Sequence, residues 1–244
     1  MTLFRYIPMN RFFEMVTKQE IVFVSPLLWK DNYEGLLYQA VKSKNGREEI
    51  CKLLKKLNKS DFIIDLLINE FAVSLLKCSC WCKEKDSVAM WEAYSDNNQS
   101  VMVQTTKSKI ESLKNNMNQH VKVRSVDYCD SISLEDEIKR AFISENEASM
   151  VQVFSTKRSH FSFEKEIRAF IGGAIDNSNT STYIKPLPLK IHIPINDFIE
   201  DVIINPNADS KTVFDIQSLC NSFNIKCTGK SNVYDFSINS IILP

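Results

Sequence analysis

The sequence predicts an α+β fold with a mixed or antiparallel sheet, and two observations lead to this prediction. Segments with helical periodicity are concentrated in the first two-thirds of the 244 residues, whereas strand-like segments dominate the last third. Successive strand-like segments are joined by short connections, which favours antiparallel pairing over a purely parallel sheet. We expect a single domain over residues 1–244, enlarged by helical insertions at about 31–77 and 133–155.

Alternation with period two predicts strands, and apolar residues three and four apart predict helices. The predicted strands are 3–7, 21–25, 78–82, 100–105, 121–128, 161–172, 187–193, 200–204 and a last one near 233–238. The predicted helices are 9–19, 31–43, 46–57, 61–76, 86–95, 107–117, 133–155 and 210–222. Ser60 and Asp86 are good N-cap residues for two of these helices. The polar stretch 176–182 predicts a surface loop.

The composition is that of an ordinary globular protein, with 44% hydrophobic and 25% charged residues. Thirty basic residues balance thirty acidic ones, so the chain has no global attraction for nucleic acid or anionic membranes, although a local basic patch is not excluded. The most apolar stretch, 61–76, carries Asp61, Asp65 and Glu70 and is too polar for a membrane span. No apolar leader segment is visible at the start of the sequence. We therefore expect a cytoplasmic protein without membrane association.

Residue counts exclude several classes of site. Only five glycines occur, and neither the dinucleotide-binding glycine pattern nor the P-loop is present. The pattern of a serine-hydrolase nucleophile is also missing. Cys78, Cys80 and Cys82 are spaced more tightly than the cysteine pairs of structural zinc sites, so we interpret them as free thiols in a buried strand.

The stretch HFSFEKEIRAFIGG at 160–173 contains the most unusual polar row. Strand periodicity places Glu164, Glu166 and Arg168 on one face, and Lys165 on the other. One interpretation is a solvated sheet face whose charges pair with lysines. The other is a catalytic carboxylate pair, in which the neighbouring arginine favours the ionised form of one acid. Carboxylates in this arrangement suit the approach to a ribose C–N bond, where they would stabilise developing positive charge.

Other candidate binding residues lie in the first half of the sequence. Arg5 interrupts an apolar strand, and its donor fork suits a phosphate or a carboxylate, whereas a sheet-edge arginine is the more common role. Ser25 ends the second predicted strand, as a binding hydroxyl or simply as its last residue. Trp81, Trp91 and Tyr94 could stack on a flat ring such as a nucleobase or nicotinamide, whereas core packing is the more common role of such residues.

Four segments, in order along the chain, resemble a family of bacterial proteins known only as a domain of unknown function. These segments are LFRYI (3–7), VFVSPLLWKDNYEG (22–35), CSCWCKEKDSVAMWEAYSDNNQSVMV (78–103) and FSFEKEIRAF (161–170). The MWxxY and EKE-R pieces match the family's pattern well. An Asn-Asp-Pro stretch of that pattern is Lys-Asp-Asn at 30–32, and a His-Lys-Gly stretch is Asn-Gln-Ser at 98–100.

An arginine on the first strand, a serine on the second and a late Glu-x-Glu are similar to the ADP-ribosyltransferase superfamily of the Arg-Ser-Glu type. This resemblance implies an ADP-ribosyltransferase-like core that uses NAD as its substrate and modifies a macromolecular acceptor, which would be protein, RNA or DNA. Arg5 and Ser25 would hold NAD, with Trp91, Tyr94 and Arg168 as further binding residues. The resemblance also implies a bacterial toxin or anti-phage defence effector, with an antitoxin as a possible partner.

The same resemblance gives the two glutamates different roles. Glu166 would bind the ribose hydroxyl and stabilise the oxocarbenium-like centre, and Glu164 would orient or deprotonate the acceptor. Two rival functions stay open. One is a non-catalytic module that binds a ligand or a partner through Trp91, Tyr94 and Arg168, and the other is a nucleotide hydrolase that uses the same glutamates.

Overall fold

A computed structural model describes residues 1–31, 33–59, 76–116, 118–144, 147–148, 150–172 and 187–235, with the side chains of 142–150 excepted. The predicted helix 61–76, the predicted loop 176–182 and the end of the predicted last strand lie outside these residues. Within the described part of the chain, no helix is long and apolar enough to cross a membrane.

The protein has a mixed α+β fold with a mostly antiparallel sheet of seven strands, which confirms the predicted class. The strands are β1 (Thr2–Pro8), β2 (Glu20–Phe23), β3 (Lys77–Cys82), β4 (Ser100–Thr106), β5 (Lys122–Ser125), β6 (Asp127–Cys129), β7 (Phe142–Ser144), β8 (Glu147–Ala148), β9 (Thr156–Arg158), β10 (Glu166–Ile171), β11 (Leu189–His192), β12 (Asp201–Ile204) and β13 (Cys227–Lys230). The helices are α1 (Met9–Lys18), α2 (Leu36–Val41), α3 (Lys44–Lys56), α4 (Val88–Tyr94), α5 (Lys107–Glu111), α6 (Leu134–Ala141), α7 (Met150–Val153), α8 (Ile195–Phe198) and α9 (Ser210–Ser222). Two short 3₁₀ turns cover Pro26–Leu28 and Ser159–Glu164.

Side-chain caps explain where several of these helices begin. Ser43 accepts a hydrogen bond from the Gly46 amide before α3, at 3.0 Å. Asp209 accepts one from the Thr212 amide before α9, at 2.7 Å. Such caps satisfy backbone donors that have no partner inside the helix. They agree with the start of the predicted helix 210–222.

The predicted long helix 133–155 is wrong. Helix α6 ends at Ala141, and the chain then forms the short antiparallel strands β7 and β8 before α7. The polar run Ser-Glu-Asn-Glu at 144–147 interrupts the apolar periodicity at this point. Apolar residues on both sides of this run suggested one continuous helical face, which the polar run breaks.

The predicted strand 161–172 is wrong in its first half. Residues 159–164 form a 3₁₀ turn, Lys165 adopts the left-handed conformation with φ of 44°, and only β10 is extended. The Lys165 amide donates to the Ser162 carbonyl, which closes the turn. The alternation of aromatic and polar residues before Lys165 therefore arises in a turn and not in a strand.

Smaller differences concern element length. The predicted helix 31–43 is confined to α2, the predicted helix 107–117 is confined to α5, and the predicted strand 121–128 is divided into β5 and β6. Strand β13 was not predicted, and it pairs parallel with β12.

The described chain divides into two compact units. The first contains Met1–Ile21, Trp81–Ile110 and His192–Pro244, and the second contains Val22–Cys80 and Glu111–Ile191. In the first unit, β1 pairs antiparallel with β4 along its whole length, and β4 pairs antiparallel with β12. In the second unit, β10 pairs antiparallel with β5.

The core of the first unit surrounds Trp91. Its ring packs edge-on against Tyr6, with 4.8 Å between ring centroids. Its indole N–H donates to an Asp86 carboxylate oxygen at 2.8 Å, and the Ser231 hydroxyl donates to the same oxygen. Asp86 therefore does not act as the predicted helix cap. Instead, it satisfies a tryptophan donor whose ring is buried.

Replacing Asp86 with alanine is expected to lower the free energy of unfolding by about 2 kcal/mol, because a buried indole donor loses its partner. Asp86 also has a φ of 60°, which alanine adopts less readily than aspartate or asparagine. Asp86→Asn keeps an acceptor oxygen and tolerates this conformation, so it should lose less than half as much. Urea unfolding of both variants measures the difference, and equal losses would contradict this role of Asp86.

The core of the second unit contains a helical cluster and a sheet cluster. The helical cluster consists of Leu37, Val41, Ile50, Leu54, Ile138, Ala141 and Val153, contributed by α2, α3, α6 and α7. The sheet cluster packs Cys78 of β3 and Phe170 of β10 against Phe154. Both faces of β10 are buried, so any polar side chain on this strand needs partners inside the protein.

Candidate functional site

Five charged side chains of the second unit form a buried group, which we call the ionic cluster. Each is less than one-tenth exposed, although such residues are rarely buried unless paired. The members are Glu34 just before α2, Lys157 of β9, Glu164 of the 3₁₀ turn, and Glu166 and Arg168 of β10. The two glutamates and the arginine singled out from the sequence are therefore brought together.

Arg168 lies at the centre of the ionic cluster and is 1% exposed. Its Nε and Nη2 donate to the two carboxylate oxygens of Glu166 at 2.9 and 2.8 Å, in the bidentate geometry that the guanidinium favours. Nη2 also donates to Glu34, and Nη1 donates to the Phe154 carbonyl at 2.7 Å. The Trp29 ring covers the guanidinium, with its centroid 4.1 Å from Cζ.

Lys157 links the three carboxylates of the ionic cluster. Its Nζ lies 2.6 Å from Glu164, 3.3 Å from Glu166 and 3.4 Å from Glu34. The ammonium group replaces the water that would otherwise solvate these acids. With its three carboxylates and two cations, the cluster has a formal charge of −1.

The protonation state of Glu166 is set by two opposing effects. Burial acts to raise its pKa, but the charge and hydrogen bonds of Arg168 together with the charge of Lys157 outweigh burial and lower the pKa to about 2. Burial likewise acts to lower the pKa of Lys157, and the surrounding carboxylates raise it overall. Glu166 is therefore ionised and Lys157 protonated at neutral pH.

The interpretation of this row as a solvated sheet face is wrong. Glu164, Glu166 and Arg168 are 5%, 6% and 1% exposed, and the lysine that pairs with the acids is itself buried. The cause is the left-handed turn at Lys165, which leaves the lysine outside and directs Glu164 towards Lys157. The three residues therefore belong to an internal network.

A second charged pair lies beside the ionic cluster and is partly exposed. Arg158 pairs with Asp31 at 3.0 Å, and its guanidinium lies 4.6 Å from the Tyr33 ring centroid and 5.5 Å from that of Phe161. Tyr33 is 48% exposed. These residues place aromatic surface and a cation within reach of a ligand at the edge of the second unit.

Ser25 is buried, and its hydroxyl has no hydrogen-bond partner among the described residues. Its neighbour Val24 pairs with Cys78 of β3, two residues before Cys80, whose thiol donates a hydrogen bond to Glu166. Ser25 therefore follows a residue that pairs with β3, the strand whose Cys80 contacts Glu166. A buried hydroxyl without a partner is a feature expected where a ligand supplies the missing hydrogen bond.

The remaining candidates lie in the first unit. Arg5 is half-buried on β1, with its guanidinium 5.7 Å from the Trp81 ring centroid. The Trp81 indole N–H is buried and has no hydrogen-bond partner among the described residues. Trp91 is 2% exposed, which favours the core role over ring stacking, whereas Tyr94 is 40% exposed. A ligand could therefore reach Tyr94 directly but not Trp91.

Sequence reasoning missed Glu34, which accepts a hydrogen bond from Arg168, and Lys157, which contacts both predicted acids. Glu34 lies within the segment 22–35 that resembles the family pattern, so this segment carried a signal for it. Lys157 lies in an unremarkable stretch, and only the fold brings it to Glu164. Glu34 and Arg168 are 134 positions apart in the chain, so no local pattern connects them.

Comparison with known families supports part of the resemblance described above. Residues 90–169 match the model of a protein family of unknown function (DUF2971). The DUF2971 match covers about a third of the chain and includes Tyr94, Glu166 and Arg168, but not Ser25 or Glu34. No curated protein and no solved structure matches the chain. The match therefore supports the resemblance to a family of unknown function, and it assigns no activity.

Proposed function

We propose that the chain is an NAD-dependent ADP-ribosyltransferase in which Glu166 stabilises the positive charge that develops on the ribose. The observation that carries the proposal is the ionic cluster, a buried group of three carboxylates and two cations with one excess negative charge. A fixed carboxylate in a site of low polarity interacts strongly with a developing cation. The depressed pKa of Glu166, about 2, keeps it in the ionised form that this role requires.

The residues of the second unit also suit NAD as a substrate. Oxidised nicotinamide is a flat cation, which matches a negatively charged cluster and nearby aromatic rings such as Trp29 and Tyr33. The Ser25 hydroxyl is free of described protein partners and would hydrogen-bond a ribose hydroxyl.

The transfer exchanges one bond to the ribose for another. The bond between ribose and nicotinamide breaks, and its electron pair leaves with nicotinamide. A nucleophile of the acceptor forms the new bond to the same ribose carbon and loses a proton. Glu164 is the proposed base for this proton. It lies 2.6 Å from the Lys157 ammonium, which would fix the orientation of its carboxylate.

The experiment incubates the protein with NAD labelled in its adenylate moiety together with a cell lysate, and follows both label transfer and nicotinamide release. We expect Glu166→Gln to reduce label transfer about 100-fold, since a neutral amide no longer stabilises the developing cation. Glu135→Gln is the matched control, because this partly exposed glutamate on α6 pairs with the surface lysines Lys56 and Lys139. It should retain wild-type transfer.

A second variant separates catalysis from folding, because Glu166 also holds Arg168. Ser25→Ala removes a hydroxyl that has no described protein partner, so it should keep the fold by circular dichroism. We expect it to raise the KM for NAD about tenfold, as for the loss of one hydrogen bond to substrate. Wild-type protein that neither binds NAD nor releases nicotinamide would overturn the proposal.

One observation favours a second candidate, a non-catalytic binding module. Both oxygens of Glu166 already accept hydrogen bonds from Arg168, so the acid is fully engaged within the protein. A binding module would bind NAD or another ligand without releasing nicotinamide, and Glu166→Gln would affect its folding rather than any turnover. Nicotinamide release without label on a macromolecule would instead indicate a nucleotide hydrolase.

A further inference from the structure

A concave surface formed by α3 and the turn before it, in the second unit, is strongly basic. Its lining consists of Lys42, Lys44, Arg47, Glu48, Cys51 and Lys52, which we call the basic surface. Four of these six side chains are cationic and only one is anionic. This local excess contrasts with the zero net charge of the whole chain.

The charge is concentrated in one short segment. Residues 42–59 contain seven basic and two acidic residues, so the other 226 residues carry 23 basic against 28 acidic ones. The segment therefore has a formal charge of +5 in a chain whose remainder is −5. A positive field of this kind attracts polyanions even when the net charge is zero.

Packing directs these cations outwards. Ile50 and Leu54 of α3 are buried in the helical cluster of the second unit, which fixes the opposite helix face towards solvent. The side chains of Lys52 and Lys56 on α3 are 72% and 71% exposed. Lys44, Glu48 and Lys52 follow at four-residue spacing, so they form a row with steps of about 6 Å along the helix.

We propose that the basic surface binds the phosphodiester backbone of a nucleic acid. Four cations grouped on a concave surface suit a regularly charged strand, and contacts of this kind to phosphates require no base recognition. An anionic membrane fits less well, because none of the large apolar side chains in residues 36–59 is exposed for insertion between lipids. The inference is independent of the proposed NAD chemistry, since none of these residues belongs to the ionic cluster.

The test measures fluorescence anisotropy of a labelled DNA duplex of about 20 base pairs, and of the RNA duplex of the same sequence, as salt is varied. If four cations each contact a phosphate, affinity should fall roughly 100-fold between 50 and 200 mM salt. The triple variant Lys42→Gln, Lys44→Gln, Lys52→Gln should bind at least about tenfold more weakly at 50 mM salt. The number of counterions released on binding, obtained from the slope of log affinity against log salt concentration, should fall by about three.

A matched control removes the same charge elsewhere. Lys18→Gln, Lys211→Gln and Lys226→Gln neutralise three exposed lysines of the first unit and should leave binding nearly unchanged. Thermal unfolding checks that both triple variants are folded. Equal losses in the two triple variants would show that only total charge matters and would overturn the assignment of this surface.

Two further results would also contradict the inference. The first is that the wild-type protein binds neither duplex at 50 mM salt. The second is binding to vesicles of phosphatidylserine and phosphatidylcholine without binding to either duplex, which would make an anionic membrane the partner. Because both assays use protein without NAD, either failure leaves the transferase proposal untouched.

Discussion

Replacing Arg168 with methionine is expected to lower the free energy of unfolding by about 3–5 kcal/mol. The guanidinium is 1% exposed and donates to Glu166, Glu34 and the Phe154 carbonyl. Methionine fills part of the space but leaves Lys157 as the one cation paired with Glu34 and Glu166 among the described residues. Two buried carboxylates that share one cation account for the size of the loss. Urea unfolding monitored by tryptophan fluorescence measures it.

Arg158→Met is the matched control for Arg168→Met, because it removes an arginine ten positions away whose side chain is 34% exposed. Its pair with Asp31 should contribute no more than about 1 kcal/mol. The double variant Arg168→Met, Glu166→Gln should lose less stability than the sum of the two single variants, because both remove the same interaction. Similar small losses in Arg158→Met and Arg168→Met would show that the ionic cluster contributes little.

Glu137 is expected to make the protein less stable as pH rises from about 4.5 to about 7. This carboxyl is fully buried on α6, and burial raises its pKa to about 7 although the Leu36 and Leu37 amides donate to it. The folded protein therefore holds the proton more tightly than the unfolded chain does, and stability is lost as the proton leaves. A pKa shift of this size corresponds to about 3 kcal/mol in the free energy of unfolding.

The measurement compares the free energy of unfolding of wild type and Glu137→Gln between pH 4 and about 8. We expect the difference between the two proteins to change by about 3 kcal/mol across this range, since glutamine does not titrate. Glu135→Gln on the same helix is the control, because its exposed carboxylate has a lowered pKa and titrates below this window. A difference that is constant with pH would contradict the raised pKa of Glu137.

Glu166 acts in a separate pH window and with the opposite sign. Its pKa in the folded protein, about 2, lies below the ordinary value of 4.5. Its contribution to the free energy of unfolding is therefore fully present above pH 4.5. That contribution is lost as pH falls towards 2. The two acids together predict greatest stability near pH 4.5, where Glu137 is still protonated and Glu166 is still ionised.

Helices and strands whose bounds depend on neighbouring residues in the sequence could be predicted from the sequence alone. Strand β1, helix α9 and strand β12 lie within one or two residues of their predicted bounds. The two strands are short runs rich in apolar and β-branched residues, and the helix is periodic and begins at a capping aspartate. The prediction of a strand over 161–172 was wrong in its first half, because the alternation of Phe161 and Phe163 with polar residues occurs here in a turn. The turn depends on the left-handed conformation of Lys165. Lysine rarely adopts this conformation, so there was no reason to expect it at this position from the sequence.

The candidate site could be predicted only in its local part. Glu164, Glu166 and Arg168 are adjacent in sequence, so their proximity followed from the pattern. Their burial did not follow, because it depends on Lys157 and Glu34, which the fold supplies from other segments. A row of charged residues predicts a solvent-exposed face unless buried counter-ions are known to pair with it.

The shared ammonium group of Lys157 also has a consequence for local opening of the second unit. Three segments, the loop at Glu34, strand β9 and the turn that leads into β10, are held by contacts to this one group. Separating any one of them would remove the Lys157 ammonium from a buried carboxylate that it now contacts. The loop at Glu34 should therefore open together with the strand and not as an independent loop, so the three segments form one cooperative unit.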